Sequence, residues 1–486
     1  MIRRLKLYPY HTFLFIPFII FFLYAQNIGL TKFYMTYRTM LVGLLTTLVL
    51  YGVSYAFLRS RLKAGVLVTF LLFSLFQYGV IYEFFETLYY SGKWPLNNIH
   101  RSLIILYILV YAAFIWKIKK TKHDFIKINY FLNFLIILLL LFNLSRLLFG
   151  HYSVKKKEKG PVETYTDIIT FDNNRPKPDI YYIILDGYAS NSVLDHYFNF
   201  KNTTFARSLK QKGFRFCDSA FSNYYYTVSS LAATLNFRYH NDSLNPSDLI
   251  RGNLLFRALK DHSYDIWHMK SGYAVTSFFQ LADKSIMIDG PNEFEKSLFK
   301  YTILRLDDLI GFFAYKRLTS QFSNMIDVVT PASSRPKFSF MHFVAPHPPY
   351  VFDSTGAMRT KHRFAEHSWE PKSYYVEQLV YVNKQVDRLI NQIIAVNPNA
   401  VVILQSDHGP WINGENKEQV FDARSKILYA YHIPGIPVIP SKTSSVNTFR
   451  YVLNYLFNCG LDTLPDIYAG REALLADPIL VKKAGD

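Results

Sequence analysis

Hydrophobic positions follow two different patterns along the 486-residue chain. The first third holds five long apolar runs, whereas later apolar runs are short and alternate with amphipathic stretches. The long runs span residues 8–24, 40–58, 64–82, 103–116 and 131–148. A helix needs about 20 residues to cross the hydrocarbon of a bilayer. The pattern therefore predicts about five transmembrane helices, the fourth of which is short enough to lie at the interface instead.

Basic residues predict the orientation of these helices. Lys and Arg are concentrated in segments 1–7, 59–63 and 118–127, as is typical of cytoplasmic loops. After five crossings, the rest of the chain lies outside the cytoplasm. The first run could be a signal peptide, but the tripeptide at 24–26 is a poor cleavage site, so we expect it to be retained. The net charge of +18 is thus explained by membrane-flanking loops, with no nucleic-acid partner. The cluster 155–159 is expected in a solvated linker or against anionic lipid headgroups.

The stretch 151–177 predicts a linker between a transmembrane domain, 1–150, and a second domain, 178–486. Its end is marked by Pro176 and Pro178, which stop any helix there. Beyond it, short β-prone runs alternate with helical patterns, which is typical of an α/β domain with a largely parallel sheet. The clearest elements are 181–185, 205–210, 254–259, 265–268, 337–345, 375–395 and 400–404.

Two of the predicted buried strands lead to side chains that bind metals. The run 181–185 passes into Asp186, and the run 400–404 leads to Asp407 and His408. In open α/β sheets, ligands bind beyond the carboxyl ends of strands, and Asp and His are good ligands for Zn²⁺ or Mn²⁺. Each motif also has a plainer interpretation, since Asp-Gly is a favoured turn pair and Asp-His could belong to a surface turn.

Hydroxyl and imidazole groups follow other predicted elements. Thr227 stands where an aromatic-rich loop passes into a helix, and a helix N-terminus favours an anion. Its hydroxyl is then either a helix cap or a nucleophile, and Ser229 and Ser230 are competing candidates. His347 lies where a strand ends and can donate to a substrate oxygen or leaving group. His342 lies inside that strand and is expected to be a hydrogen-bonded core residue.

Together these groups would form one metal-assisted site with a hydroxyl nucleophile. A metal in such a site neutralises phosphoryl oxygens and lowers the pKa of the attacking alcohol, so no separate strong base is needed. The combination suits phosphoryl transfer.

The motifs resemble the alkaline phosphatase and sulfatase superfamily, and in particular its membrane-anchored branch of lipoteichoic acid synthases and phosphoethanolamine transferases. The resemblance covers about residues 179–431 and the five-helix anchor, and rests on Asp-Ile-Tyr-Tyr-Ile-Ile-Leu-Asp-Gly, Thr-x-x-Ser, Pro-His-Pro-Pro-Tyr and Asp-His-Gly. It implies an α-helical membrane domain followed by an extracytoplasmic α/β domain of alkaline phosphatase/sulfatase-like type. It also implies one divalent metal on Asp186, Thr227, Asp407 and His408, with catalytic roles for Thr227 and His347.

The chain departs from the family pattern at two places. Asp186-Gly187 stands where lipoteichoic acid synthases have Glu-Ser and sulfatases have paired aspartates, which supports one metal and leaves Zn²⁺ or Mn²⁺ open. The two cysteines, Cys217 and Cys459, lack the Cys-x-Pro-x-Arg context that sulfatases need to make formylglycine. They either form one bridge or remain free thiols. Sulfuric-ester hydrolysis by the formylglycine route is therefore not expected.

The resemblance implies a metal-dependent phosphotransferase. It would move phosphoethanolamine or phosphoglycerol from a phospholipid, through a Thr227-linked intermediate, to a cell-envelope glycan or lipid. The enzyme would be a multi-pass protein of a bacterial-type inner membrane, and the amphipathic stretch 294–313 could lie on the membrane or inside its domain. A phosphodiesterase or phosphatase would use the same residues with water as acceptor. A non-catalytic membrane protein is the remaining alternative; transport is disfavoured because the spans carry no regular polar array.

Overall fold

The structure, a computed structural model, describes residues 2–27, 33–90, 99–159, 169–240, 245–304, 307–329, 333–359, 369–413, 416–435 and 438–475. The chain divides into two units. The helical unit contains Met1–Thr164 and Pro291–Leu309, and the α/β unit contains Tyr165–Gly290 and Ile310–Asp486. Part of the predicted linker, residues 160–168, lies outside the described residues.

The N-terminal helices match the long apolar runs. They are α1 Ile2–Leu7, α2 Tyr10–Gln26, α3 Tyr37–Leu58, α4 Arg61–Tyr90, α5 Ile99–Lys120 and α6 Ile126–Lys159. The stretches long and apolar enough to cross a membrane are Phe33–Leu58, Arg61–Phe85, Ile99–Lys120 and Ile126–Phe149. The predicted helical membrane domain is confirmed, with two differences in length. The fourth apolar run belongs to a helix of 22 residues, whereas the first lies in α2, which has only 17.

A proline separates α1 from α2. Pro9 has no N–H, so the carbonyl groups at the end of α1 need other donors. Asn133 of α6 supplies them, because its Nδ2 donates to Leu5 O at 2.7 Å and to Tyr8 O at 2.8 Å. Its Oδ1 accepts from the backbone N of His11 at 2.7 Å. Asn129, one turn earlier in α6, donates from its Nδ2 to Leu5 O at 3.0 Å and Tyr8 O at 3.3 Å. Two asparagine side chains thus fix the chain where the two helices meet.

Helix α12, Glu293–Lys300, belongs to the helical unit although the chain on both sides of that segment belongs to the α/β unit. Glu295 forms an ion pair with Arg38, and Phe294 is buried in a cluster with apolar residues of α2 and α4. The sequence left open whether 294–313 lies on a membrane surface or inside its own domain. Its first part, α12, packs against the apolar helices and not inside the α/β unit.

The α/β unit is built on one sheet. Its strands are β1 Ile180–Leu185, β2 Arg215–Phe216, β3 Asp265–Met269, β4 Lys284–Ile286, β5 Lys337–Phe343, β6 Val401–Gln405 and β7 Tyr429–His432. They form a seven-stranded sheet in the order β2-β7-β6-β1-β5-β3-β4. All neighbours from β6 to β4 are parallel, and β7 is antiparallel to both β6 and β2. The predicted α/β domain with a largely parallel sheet is confirmed.

The remaining helices alternate with these strands along the chain. They are α7 Asn191–Phe198, α8 Thr203–Gln211, α9 Thr227–Asn236, α10 Pro246–Arg251, α11 Leu254–Asp261, α13 Asp307–Asn324, α14 Lys372–Val396, α15 Lys417–Ser425, α16 Thr448–Phe457 and α17 Arg471–Leu475. Short 3₁₀ helices span Phe33–Thr36, Ala274–Thr276, Met325–Val328 and Ser445–Asn447. The alternation places helices between successive parallel strands, as such a sheet requires.

Strand β1 lies at the centre of the sheet and is buried along its whole length. Side chains alternate across a strand, and those of β1 accordingly enter two separate hydrophobic clusters, Tyr181, Ile183 and Leu185 in one and Ile180, Tyr182 and Ile184 in the other. Leu185 pairs with Phe343 of β5, and Ile184 with Gln405 of β6. These three strands therefore end at the same edge, where a site is expected.

Candidate active site

Three neighbouring strands bring Asp186, His342 and Asp407 together at this edge. Asp186 directly follows β1, and its backbone N donates to Phe343 O at 3.0 Å. Asp407 stands two residues after β6, and its Oδ1 accepts from the backbone N of Gly187 at 3.1 Å. His342 is the last residue but one of β5. Two carboxylates predicted as metal ligands thus lie side by side, and a histidine from a third strand joins them.

These three side chains offer ligand atoms to one ion. One nitrogen or oxygen from each lies within 4.8 Å of the others. Asp186 Oδ1, His342 Nε2 and Asp407 Oδ2 are buried and have no hydrogen-bond partner among the described residues. A buried polar atom left unpaired costs about 1–3 kcal/mol, and a cation would satisfy all three. Because carboxylate oxygens and imidazole nitrogens suit Zn²⁺ and Mn²⁺, the residues present fit a divalent metal.

His408 connects the carboxylates to the predicted nucleophile. Its Nδ1–H donates to Gly409 O at 3.0 Å, so Nε2 carries the lone pair of the ring. That Nε2 lies 3.4 Å from Asp407 Oδ2 and 3.6 Å from Asp186 Oδ1. On its other side, the Oγ1 of Thr227 lies 3.1 Å away. The predicted metal ligands and the predicted nucleophile therefore occupy one site.

The three competing hydroxyls are not equivalent. Thr227 is the first residue of α9, and the N-cap position belongs to Tyr226, whose side chain forms no capping bond. The hydroxyl of Ser230 is instead held by the backbone, donating to Asp407 O at 2.6 Å. Ser229 lies between them on a partly exposed position. The Thr227 side chain faces the imidazole of His408, at a helix N-terminus suited to an anion.

Two glycines allow close packing of the backbone beside the candidate ligands. Gly187 has a φ of +70°, and a Cβ there would lie 2.7 Å from the ring of Trp369. A Cβ on Gly409 would lie 2.0 Å from the carbonyl oxygen of Ala423. Larger residues at either position would displace the backbone beside a candidate ligand.

His347 borders the site from the loop after β5. Its backbone N donates to Asp186 O at 3.0 Å, and its Nδ1–H donates to Pro348 O at 2.7 Å. The ring centres of His347 and His408 are 6.3 Å apart, and Trp369 packs edge-on against His347 at 4.8 Å. His347, which was predicted to contact substrate, thus lies next to the candidate ligands but does not belong to the group of Asp186, His342 and Asp407.

Burial raises the pKa of both carboxyl groups, whereas nearby groups shift the two pKa values in opposite directions. Burial, and next the Asp186 carboxylate, raise the pKa of Asp407 to about 6. Burial also opposes ionisation of Asp186, but the imidazoles of His347, His342 and His408 outweigh it and hold the pKa of that carboxyl below its ordinary value. A bound cation would favour the ionised form of both.

Arg424 adds a positive charge that the sequence did not indicate. Its side chain is 4% exposed and is held by two carbonyls, since Nη1 donates to Gly409 O at 2.8 Å and Nε to Tyr225 O at 2.9 Å. The remaining Nη2 lies 3.3 Å from His408 Nε2. Within the described part of the chain, no carboxylate forms an ion pair with this guanidinium. A buried cation without a paired anion suits a phosphate-binding role.

Two site residues, His342 and Arg424, were not predicted as such. His342 was expected to be a hydrogen-bonded core residue. This expectation is met by its Nδ1, which lies 2.8 Å from Thr276 Oγ1, but it does not account for its Nε2. The register of β5 against β1 could have indicated its second contact, because His342 pairs with Ile184, two residues before Asp186. Arg424 left no comparable signal, since it lies at the end of a short, largely polar helix.

The comparison with protein families decides where this chain belongs. Residues 178–457 match the family model described as Sulfatase, which covers more than half of the chain. The chain belongs to the sulfatase family. Its membership confirms the resemblance noted for the sequence, and the apolar N-terminal helices agree with the membrane-anchored branch. No curated protein sequence matches the chain.

Solved structures resemble the sulfatase-family chain only distantly. The C-terminal periplasmic domain of EcEptC from Escherichia coli, in complex with Zn, has 16% identity and a TM-score of 0.43, over 61% of this chain and 88% of that one. The corresponding domain of phosphoethanolamine transferase EptC from Campylobacter jejuni has 15% and 0.38, over 64% and 99%. The lipoteichoic acid synthase LtaP from Listeria monocytogenes has 14% and 0.38, over 63% and 79%. Similarities of this size support no statement about substrate.

Both cysteines of this sulfatase-family chain are free thiols outside the groups just described. Cys217 packs in a hydrophobic cluster, and Cys459 Sγ donates to Leu453 O at 3.4 Å. Burial, and for Cys217 also the neighbouring Asp218, raise the pKa of each thiol to about 12. Neither is suited to be a nucleophile, because the thiolate is the reactive form.

Proposed function

We propose that this sulfatase-family chain is a membrane-anchored phosphotransferase. It would move the headgroup phosphate of a phospholipid, as phosphoethanolamine or phosphoglycerol, to a cell-envelope glycan or lipid. The observation that carries the proposal is the 3.1 Å contact between Thr227 Oγ1 and His408 Nε2, beside two buried carboxylates. A hydroxyl next to a metal-binding group is the arrangement needed for covalent phosphoryl transfer.

One divalent ion, Zn²⁺ or Mn²⁺, would be held by Asp186, Asp407, His408 and the hydroxyl of Thr227. Bound there, it would neutralise phosphoryl oxygens and lower the pKa of the Thr227 hydroxyl. The unpaired buried oxygens of the two carboxylates support this assignment.

Three side chains would have separate roles in the transfer. Thr227 Oγ1 forms a bond to phosphorus while the bond from phosphorus to the diacylglycerol oxygen breaks, giving a phosphothreonine diester. His347 orients the phosphate or supplies a proton to the leaving oxygen. Arg424 holds a phosphoryl oxygen, because its Nη2 lies 3.3 Å from His408 Nε2, the atom that Thr227 Oγ1 contacts at 3.1 Å. An acceptor hydroxyl then attacks phosphorus and releases Thr227, so two inversions leave the configuration at phosphorus unchanged.

The apolar helices support a lipid donor. Four stretches are long and apolar enough to cross a membrane, and anchoring the site near a leaflet raises the effective concentration of the lipid. We therefore propose a multi-pass protein of a bacterial-type inner membrane, with its catalytic domain outside the cytoplasm. The division into a transmembrane domain 1–150, a linker 151–177 and a catalytic domain 178–486 remains part of this proposal.

The test uses the full-length protein in detergent, incubated separately with phosphatidylethanolamine and phosphatidylglycerol. We expect diacylglycerol release with one of them, and an adduct of the corresponding headgroup mass on the peptide that contains Thr227. Thr227→Ala should give neither. An adduct on Ser229 or Ser230, or no product with any donor, would contradict the proposal. Release of free headgroup phosphate in the presence of glycan and lipid acceptors would indicate the hydrolase instead.

A further inference from the structure

His342 is placed to do more than fill the core. It is fully buried on β5, between β1 and β3, and its backbone O accepts from Gln321 Nε2 at 3.0 Å. Its Nε2 lies 3.4 Å from Asp186 Oδ2, a long contact, and forms no well-aligned hydrogen bond with any described residue. This nitrogen is one of the three atoms that lie within 4.8 Å of one another with those of Asp186 and Asp407.

The other ring nitrogen of His342 begins a chain of hydroxyl groups. Nδ1 lies 2.8 Å from Thr276 Oγ1, and Thr276 Oγ1 lies 2.8 Å from Ser271 Oγ. Ser271 Oγ in turn lies 3.2 Å from Tyr273 O and accepts from Tyr273 N at 2.9 Å. All three side chains are buried.

The carbonyl at the end of this chain favours one direction for its hydrogen bonds. When Ser271 donates its hydrogen to Tyr273 O, it accepts from Thr276, because a carbonyl can only accept. Thr276 then has no hydrogen left for the imidazole and accepts from His342 Nδ1. In this arrangement the lone pair of His342 Nε2 points toward Asp186. A second partner of Ser271, Ser277 Oγ, is more distant at 3.4 Å.

We propose that His342 is a further ligand of the divalent metal, and that Thr276 and Ser271 are positioning residues that hold its Nε2 ready to bind. The inference rests on the metal of the proposed function, although not on its substrate or on the Thr227 intermediate. Histidine ligands in metal sites usually donate their second ring N–H to a fixed acceptor, and that outer partner sets the tautomer and ring orientation. Here the acceptor is a threonine hydroxyl, itself oriented by a serine.

The competing arrangement makes His342 a hydrogen-bond donor to Asp186. It would need the proton on Nε2, which leaves Nδ1 as an acceptor and forces Thr276 to donate to it. Ser271 would then have to donate to Thr276 and lose its bond to Tyr273 O. The two arrangements differ in whether His342 can bind a metal, since only the first makes the Nε2 lone pair available to the ion.

The test is Co²⁺ binding by the full-length protein after treatment with a chelator, followed by the visible absorption of the bound ion and by its Kd. His342→Ala should change the position and intensity of the absorption bands and weaken binding strongly. Thr276→Val keeps the ligand but removes the acceptor, and should weaken Co²⁺ binding about ten- to a hundredfold. Thr276→Ser should restore most of the affinity.

Ser339→Ala is the matched control, because it removes a buried hydroxyl from the same strand that has no described partner. It should bind Co²⁺ as the parent does. Parent-like spectra and Kd in His342→Ala, or equal affinities in Thr276→Val and Ser339→Ala, would overturn the proposal. If His342→Ala does not fold, Thr276→Val and Thr276→Ser still decide it.

The outcomes also separate this inference from the proposed function. A parent protein that binds no Co²⁺ would overturn both the metal-dependent function and the ligand role of His342. Co²⁺ binding that depends on His342, without any Thr227 adduct, would contradict the phosphotransferase and leave the ligand assignment standing. A Thr227 adduct together with unchanged Co²⁺ binding in His342→Ala would overturn the ligand assignment alone.

Discussion

Thr227 Oγ1 lies 3.1 Å from His408 Nε2, although the two residues are 181 positions apart in the chain. One belongs to the first turn of α9 and the other follows β6. The helix brings its N-terminus, with free backbone N–H groups, to the sheet edge where the carboxylates lie. A phosphoryl group bonded to Thr227 would therefore meet both a helix N-terminus and the candidate metal ligands.

Replacing the proposed nucleophile should abolish transfer without unfolding the protein. We expect Thr227→Ala to lower the rate of diacylglycerol release by more than about 10³-fold, because no other hydroxyl takes its place. Thr227→Ser should keep a measurable rate and shift the headgroup adduct onto the new serine. The measurement is labelled diacylglycerol release, with the adduct located by mass spectrometry. Activity of Thr227→Ala near the parent level would exclude the covalent route through this residue.

Removing one of the paired carboxylates should have opposite effects with and without metal. In chelator-treated protein at pH 8, Asp407→Asn should raise the melting temperature, since burial and the Asp186 carboxylate raise the pKa of Asp407 to about 6 and its ionised form opposes folding above that pH. The difference should shrink as the pH falls from about 6 toward 3.8, the ordinary value, and should vanish below it, where the carboxyl is protonated in both folded and unfolded protein.

Bound metal should make the parent more stable than Asp407→Asn, the reverse of the order expected without metal. At about 100 times its Kd, Zn²⁺ or Mn²⁺ should stabilise the parent by ~2.7 kcal/mol and Asp407→Asn by much less. Asp195→Asn, which changes an exposed carboxyl on α7, should behave as the parent in both conditions. Equal stabilisation of the parent and Asp407→Asn by the metal would remove Asp407 from the ligand set.

The guanidinium of Arg424 should be needed for phosphate binding more than for folding. A lysine cannot donate to Gly409 O and Tyr225 O and also reach the phosphate, because it carries a single nitrogen. We expect Arg424→Lys to lower kcat/KM for the lipid donor by about 10²–10³-fold, the usual effect of losing one donor to a developing anion. The bound metal per chain should stay at the parent level.

Arg450→Lys is the matched control for that substitution. Arg450 also donates to two backbone carbonyls, those of Phe237 and Asp462, but has no described contact with the candidate ligands. Its replacement should leave kcat/KM unchanged. A similar loss of activity in both variants would show that Arg424 acts only by holding the backbone together.

The sequence predicted the fold better than it predicted the surroundings of the site. Strands such as 181–185 and 400–404 were evident because they are apolar on both faces, and the ligands that follow them are adjacent in sequence. His342 was predicted only as a hydrogen-bonded core residue, because its approach to Asp186 depends on the register between β5 and β1, which no local pattern encodes. Arg424 was missed because its contacts are backbone carbonyls, which every residue has. Likewise, the periodicity of α12 shows an apolar face but not which unit it packs against.

Gly409 should be required for the shape of the site. Its N donates to Arg424 O at 2.8 Å, and its own O accepts from Arg424 Nη1 at 2.8 Å, so the backbone after His408 lies directly against the end of α15. A Cβ there would lie 2.0 Å from Ala423 O, which is a backbone atom and cannot turn aside. We expect Gly409→Ala to destabilise the protein by about 1–3 kcal/mol and to weaken metal binding, because His408 must move with its neighbour.

The comparison for this substitution is Gly252→Ala, where the nearest atom to the new Cβ would be 3.7 Å away and φ is −105°. That variant should be nearly as stable as the parent and bind Co²⁺ normally. Stability and metal binding can both be followed by thermal unfolding of the full-length protein in detergent, with and without added metal. If Gly409→Ala matched Gly252→Ala in both, the close packing of the β6 end against α15 would not be what holds His408 in place.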